Sequence, residues 1–181
     1  GEQGGAAVAR LLYGDVSPSG RLPVTFPRSV EQLPPYADYR MDGRTYRFMT
    51  ESPLYPFGFG LSYTTFSYSG ARLAEDSISA GKPARASVTV TNIGATSSSE
   101  VVQCYITDLE GSARTPLASL CGMQRVFVPA GSSVDVDFEI AAEAMALVLD
   151  DGSSGVEPGR FRLTIGSCSP GERGVELGAP E

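Results

Sequence analysis

Residues 133–140 read SVDVDFEI, and every second side chain in this stretch is apolar. Successive side chains of a β-strand point to opposite faces of the sheet, so this alternation predicts a strand with one buried and one solvated face. The buried face would carry Val134, Val136, Phe138 and Ile140. The three acidic side chains between them are expected in water, where carboxylates mostly lie.

The same period of two recurs on both sides of this stretch. It is clearest in ASVTVT at 86–91, VQCYI at 102–106 and RFRLTI at 160–165. In the second of these, Gln103 and Tyr105 are expected on the wet face. Turn sequences rich in Gly and Pro separate the segments, and about seven strands result once 66–73 and 117–128 are added. That count and spacing predict a mainly β chain with an immunoglobulin-like or fibronectin type III-like antiparallel β-sandwich.

The first sixty residues have a different pattern. Residues 1–14 predict a short helix with Val8, Leu11 and Leu12 on one face and Gly14 at its end. Residues 15–27 predict a turn and a short strand at 24–26, so helix and strand together resemble the tail of an α/β layer. Residues 28–60 show no periodicity but hold many prolines and aromatics. We interpret them as an extended arm laid over another surface.

Composition excludes several classes of function. The net charge is -7 with no basic stripe, which argues against a nucleic-acid partner. No apolar run approaches the roughly 20 residues that span a bilayer, so no membrane partner is expected. The chain has no histidine, which rules out a Ser-His-Asp triad and any His-ligated metal within it. No cofactor or metal site is predicted.

The three cysteines, Cys104, Cys121 and Cys168, form no C-x-x-C pair. We interpret them as buried or incidental thiols, although one pair could bridge in an exported protein. The composition is that of an ordinary soluble globular protein, either cytoplasmic or secreted. The chain begins at Gly1 without a methionine. We therefore expect it to be part of a longer protein.

Several stretches resemble family 3 glycoside hydrolases of the β-xylosidase and β-glucosidase type. Residues 1–27 resemble the end of that family's α/β sandwich domain, and LYPFGFGLSYTTF at 54–66 resembles its C-terminal signature. Residues 100–106, 115–131, 158–161 and 165–167 are similar to its fibronectin type III-like domain. The implied organisation is an α/β-domain tail at 1–27, an aromatic arm at 28–65, a fibronectin type III-like sandwich at 66–168 and a C-terminal tail at 169–181.

The resemblance implies a parent enzyme that hydrolyses terminal β-linked xylosides or glucosides with retention of configuration. Its aspartate nucleophile sits on a barrel domain, and its glutamate acid/base precedes the part of the second domain found here. Retention requires two carboxyl groups about 5–5.5 Å apart. Neither residue has a counterpart in this sequence, so we expect no catalytic residue and no activity of the chain alone.

The segment GRTYRF at 43–48 looks more like the β-xylosidase version of the family than the β-glucosidase version. Within it, Arg44, Tyr46 and Arg47 are candidates for the rim of a sugar site. Tyrosine can stack on a sugar ring, and arginine can donate hydrogen bonds to hydroxyls. The alternative is that they clamp the arm to other domains. Four further aromatics are assigned to packing: Tyr55, Phe57, Phe59 and Tyr63.

Three functions remain open at this point. The first is a non-catalytic portion that scaffolds the catalytic domains, whose partners are those domains in the same chain. The second is a carbohydrate-binding module that takes an oligosaccharide, with Tyr105 as the main outward aromatic. The third is a subunit of a split glycosidase, in which the catalytic domains lie on a separate chain.

Overall fold

The fold is mainly β and antiparallel. The computed structural model describes residues 1–149 and 151–180. Three α-helical segments are present among them: α1 Gly4–Leu12, α2 Thr45–Phe48 and α3 Glu172–Glu176. The strands are β1 Phe66–Leu73, β2 Ala84–Asn92, β3 Ser98–Asp108, β4 Ser119–Val128, β5 Ser133–Ile140, β6 Leu147–Val148, β7 Ser154–Gly155 and β8 Phe161–Gly166. No helix of the described residues is long and apolar enough to cross a membrane.

Two three-stranded sheets form the predicted sandwich. One sheet has the order β1-β2-β5 and the other has the order β4-β3-β8, while β6 and β7 pair separately. The apolar side chains of both sheets meet in one core, in which Val90, Val102 and Ile140 have no exposed surface. Each such side chain contributes about 1.5–3 kcal/mol by leaving water. This core holds the sandwich together.

Strand β5 confirms the alternation that predicted it. Val136, Phe138 and Ile140 are buried, while Asp135 and Asp137 between them are exposed. The strand pairs along its full length with β2, from Ala84 opposite Ile140 to Thr91 opposite Ser133. Its outer face is therefore a solvated polar surface, as the sequence predicts.

Strand β3 departs from the prediction on its outer face. Gln103 is 2% exposed and Tyr105 is 1% exposed, although both were expected in water. A second layer of chain covers them, because the end of the arm and the segment after β8 lie against this face. The expectation that Tyr105 is an outward aromatic is therefore wrong.

The N-terminal region is less regular than the sandwich. Helix α1 ends where Gly14 takes a left-handed conformation with φ +81°, as the sequence predicts. None of its residues is buried. The strand expected at 24–26 is reduced to one antiparallel bridge between Phe26 and Tyr55, since Pro23 and Pro27 on either side lack the N–H that a ladder needs.

The arm has an exposed part and a packed part. In the first part, Tyr36 and Tyr39 are 96% and 88% exposed. From α2 onward the aromatic side chains pack against the sandwich or against each other. The C-terminal tail joins this layer, because the N–H of Ser169 donates to the carbonyl of Phe57 at 2.8 Å and Arg173 Nε donates to the carbonyl of Leu54 at 3.2 Å.

Candidate functional site

A network of buried hydrogen bonds fills the seam between the arm and the outer face of β3. At its centre, the Nε2 of Gln103 donates to the carbonyls of Gly58 at 3.0 Å and Ser167 at 2.6 Å. The hydroxyl of Tyr105 donates to Gln103 Oε1 at 2.6 Å. One buried amide thus joins the arm, the segment after β8 and its own strand. Such a network is stabilising only while every member is satisfied.

Gly58 allows the arm to approach Gln103 this closely. Its φ is +79°, a conformation that side chains other than glycine rarely adopt. A Cβ atom at this position would lie 2.0 Å from Gln103 Oε1. Two features therefore require glycine at this position: the left-handed backbone conformation, and the Gln103 side-chain amide, which leaves no room for a Cβ atom.

A cluster of rings holds the other side of the seam. Tyr46 stacks on Phe57 with ring centroids 4.4 Å apart, and it meets Tyr105 edge to face at 5.8 Å. The N–H of Leu120 donates to the hydroxyl oxygen of Tyr46 at 3.1 Å. Burial raises the pKa of the Tyr105 phenol, so this hydroxyl stays protonated and donates. The cluster fixes α2 against β3 and β4.

An ion pair ties residues 1–27 to the sandwich. Arg21 Nη2 lies 2.6 Å from Glu100 Oε2, and the two side chains are only 9% and 1% exposed. The hydroxyl of Tyr68 on β1 donates to the other carboxylate oxygen of Glu100 at 2.9 Å. Burial raises the pKa of Glu100, while the charge and the hydrogen bond of Arg21 act against that rise. The buried pair therefore links three separate parts of the chain.

The three rim candidates do not converge on one site. The guanidinium of Arg44 donates to the carbonyls of Arg40, Pro35 and Asp38, so it braces the arm itself. Tyr46 is held in the ring cluster. Arg47 is exposed, with its guanidinium carbon 5.8 Å from the centroid of the Phe48 ring.

The candidates also border different clefts. Tyr46 lines a cleft of about 450 Å³ between the arm and α3, whereas Arg47 lines one of about 380 Å³ beside Arg114 and Met145. Thr45, between Arg44 and Tyr46, has a φ of +54°. A β-branched residue in this conformation is strained, so tertiary contacts impose the shape of this segment.

The larger cleft carries three carboxylates: Glu51, Glu172 and Glu176. All three are exposed, and Glu176 pairs with Arg173 at 2.9 Å. A general acid of a glycosidase needs an environment that keeps its carboxyl group protonated, typically an apolar pocket. This open cleft does not shield its carboxylates from water. It is therefore unsuited to the retaining reaction.

The acidic side chains of β5 are also exposed to water. On β5, Asp135 accepts a hydrogen bond from Thr89 at 2.6 Å and Glu139 pairs with Arg85 at 2.9 Å on an exposed face. Across residues 1–149 and 151–180, no group of three or more Cys, Asp or Glu side chains is placed to hold a metal ion. The sequence Asp150-Asp151-Gly152 predicts a turn, and Asp150 lies outside the described residues.

Comparison with known proteins agrees with the layered structure. Residues 1–63 match the model of the glycosyl hydrolase family 3 C-terminal domain, and residues 100–169 match that of the fibronectin type III-like domain. The chain therefore carries the C-terminal domain of glycosyl hydrolase family 3. The fibronectin type III-like region follows it along the chain.

Relatives that match most of this chain include a β-glucosidase and a β-xylosidase. A periplasmic beta-glucosidase of Salmonella typhimurium is 38% identical over 92% of this chain, and a beta-xylosidase of Formosa agariphila is 39% identical over 93%. The chain covers 23% and 24% of their lengths. Among solved structures, a β-glucosidase of Erythrobacter marinus matches 93% of the chain with a TM-score of 0.81 and 42% identity. A family 3 β-glucosidase of Bifidobacterium adolescentis gives 0.80 at 30% identity. This chain spans about a quarter of each relative.

Sequence reasoning missed the residues that hold the seam. Arg21 and Glu100 were not singled out, and Gln103 was expected in water, because an alternating pattern carries no information about a layer that covers the outer face of a sheet. One signal was present. Glu100 directly precedes the apolar pair Val101-Val102, where a charged side chain requires either water or a partner.

Proposed function

We propose that this chain is the non-catalytic C-terminal portion of a retaining β-glycosidase and that it acts as a scaffold for the catalytic domains. The observation that carries this proposal is the seam itself. The polar groups of the buried Arg21–Glu100 pair fix residues 1–27 to the sandwich, and those of the Gln103 network fix the arm to it. Groups committed in this way position a chain rather than bind a ligand.

The surface of the first sixty residues supports a scaffold role. Large apolar side chains lie exposed there, and contiguous apolar surface commonly marks an interaction site. The most exposed are Leu12, Tyr13, Val30, Tyr36 and Tyr39. We propose that the remaining domains of the family, in the same chain or on a separate one, cover this surface. In this proposal, residues 1–27 and 28–65 contact those domains, and residues 66–168 support them rigidly.

The parent activity that we propose is hydrolysis of terminal β-linked xylosides or glucosides, which the names of the relatives support. Within this proposal, Arg47 is the rim candidate whose guanidinium stays exposed. Arg44 and Tyr46 would shape the rim indirectly, by holding the arm. A carbohydrate-binding module is less well supported, because Tyr105 is buried and offers no face to a sugar.

The test is turnover of nitrophenyl β-xyloside and β-glucoside by the purified 181-residue chain. We expect no hydrolysis above a buffer control, since the described carboxylates are exposed or committed to other partners. The matched control is a Glu51→Gln, Glu172→Gln double variant purified in parallel. Hydrolysis by the wild-type chain that disappears in this variant would overturn the non-catalytic assignment.

A further inference from the structure

Two cysteines lie side by side within the sandwich, away from the seam. Cys104 on β3 and Cys121 on β4 have their sulfur atoms 3.7 Å apart, and the thiol of Cys121 also lies 3.2 Å from the carbonyl oxygen of Cys104. Cys104 has no exposed surface, whereas Cys121 is half-buried. Cys121 is therefore the more exposed residue of the pair.

An irregularity in the strand pairing brings the two sulfur atoms together. Cys104 pairs with Gly122 and Tyr105 pairs with Leu120, so Cys121 is an extra residue with no partner opposite it. Both cysteine side chains belong to the core side of the sheet. A bulge of this kind redirects a side chain, and here it directs Cys121 towards Cys104. The contact follows from the backbone register of two fixed strands.

We propose that Cys104 and Cys121 form a disulfide when a small peroxide oxidises this protein, linking β3 to β4. Closing the bond requires the sulfur atoms to move from 3.7 Å to about 2.05 Å, a change within the reach of side-chain rotation on adjacent strands. The third cysteine is placed differently. The sulfur of Cys168 faces Gly174 of α3, so closely that a Cβ atom added at Gly174 would lie 2.7 Å from the sulfur.

The chemistry proceeds in two balanced steps. The thiolate of Cys121 attacks one oxygen of hydrogen peroxide, the O–O bond breaks, and a sulfenic acid and water form after proton transfer. The sulfur of Cys104 then attacks the sulfenic sulfur, the S–O bond breaks, and a second water leaves with the Cys104 proton. Two thiols are oxidised and one peroxide is reduced. The hydrogen bond between the thiols lowers the pKa of Cys121 and raises that of Cys104, which favours Cys121 as the first nucleophile.

Trypsin places the three cysteines in three different peptides, so the mass of a linked product identifies which two cysteines are joined. Cys104 falls in peptide 86–114, Cys121 in 115–125 and Cys168 in 163–173. The reduced 181-residue chain is treated with hydrogen peroxide, quenched with catalase, denatured, alkylated with N-ethylmaleimide and digested. We expect 86–114 linked to 115–125, at about 2 Da below the sum of the reduced peptides, while 163–173 carries the maleimide. Dithiothreitol should restore both free peptides.

Two variants and one denatured control make the test specific. In Cys121→Ser no linked peptide should form and Cys104 should stay alkylatable, whereas Cys168→Ala should give the wild-type yield of linked peptide. Oxidation in guanidinium chloride should give mixed pairings, which shows that folding selects the pair. The oxidised chain should also melt several degrees higher, because the bond closes the loop between residues 104 and 121. A native product in which Cys168 is linked, or in which Cys121 reaches sulfinic acid while Cys104 stays reduced, would overturn the proposal.

Discussion

Replacing Arg21 with methionine removes the cationic partner of Glu100. The Glu100 side chain is 1% exposed, so in the variant it must either remain charged without a partner or take up a proton. Breaking a buried ion pair by removing one partner costs about 3–5 kcal/mol. For a chain of this size, each kcal/mol lowers the melting temperature by roughly 2–4 °C. Arg21→Met should therefore melt roughly 6–20 °C below the wild type.

The assays are thermal melting and urea unfolding, both followed by far-ultraviolet circular dichroism, since the chain has no tryptophan. The matched control is Arg85→Met, which removes the arginine of a pair whose side chains are 67% and 62% exposed. An exposed pair contributes about 0–1 kcal/mol, so this control should unfold close to the wild type.

A second variant separates loss of the pair from loss of packing. Arg21→Met with Glu100→Gln removes both charges and keeps an acceptor for the Tyr68 hydroxyl, so it should recover most of the lost stability. If Arg21→Met lowers the free energy of unfolding no more than Arg85→Met does, the Arg21–Glu100 pair is not desolvated in solution. The argument that it fixes residues 1–27 to the sandwich would then fail.

Two further predictions test the seam and its titration. Gly58→Ala should destabilise the chain by about 2–5 kcal/mol, through backbone strain and loss of the Gln103 hydrogen bonds. The control is Gly131→Ala, which should cost only about 1–2 kcal/mol, because Gly131 has a φ of +70° but nothing lies within 4 Å of a Cβ atom added there. Equal losses of stability in urea unfolding would contradict the contact between Gly58 and Gln103. The raised pKa of Glu100 means that the folded state holds this proton more tightly than the unfolded state does. The stability that this proton contributes is complete below the ordinary pKa of 4.5 and is lost as pH rises through the folded-state value. The unfolding free energy of the wild type relative to Glu100→Gln should therefore fall as pH rises from 4.5, and a rise would show that Arg21 outweighs desolvation.

Much of the sandwich is readable from local sequence. The alternation at 133–140 predicts which side chains of β5 face the core, and the turn sequences predict where strands end, because both depend on neighbouring residues alone. Gly14 likewise predicts the end of α1. The same reasoning gives Asp135 and Asp137 a solvated face, which the structure confirms.

What the sequence by itself determined is the antiparallel sandwich, the core-facing side chains of its alternating strands and the resemblance to the C-terminal regions of glycosyl hydrolase family 3. Tertiary structure alone decided that Gln103 and Tyr105 are buried, since their cover comes from the arm and from the segment after β8. It also decided the pairing of Arg21 with Glu100, which lie 79 positions apart, and the separation of Tyr46 from Arg47 into different clefts. The physical reason is that alternation of apolar and polar residues shows which face of a strand is buried in the core. A second layer on the other face is held by contacts between residues far apart in the sequence, which the alternation cannot show.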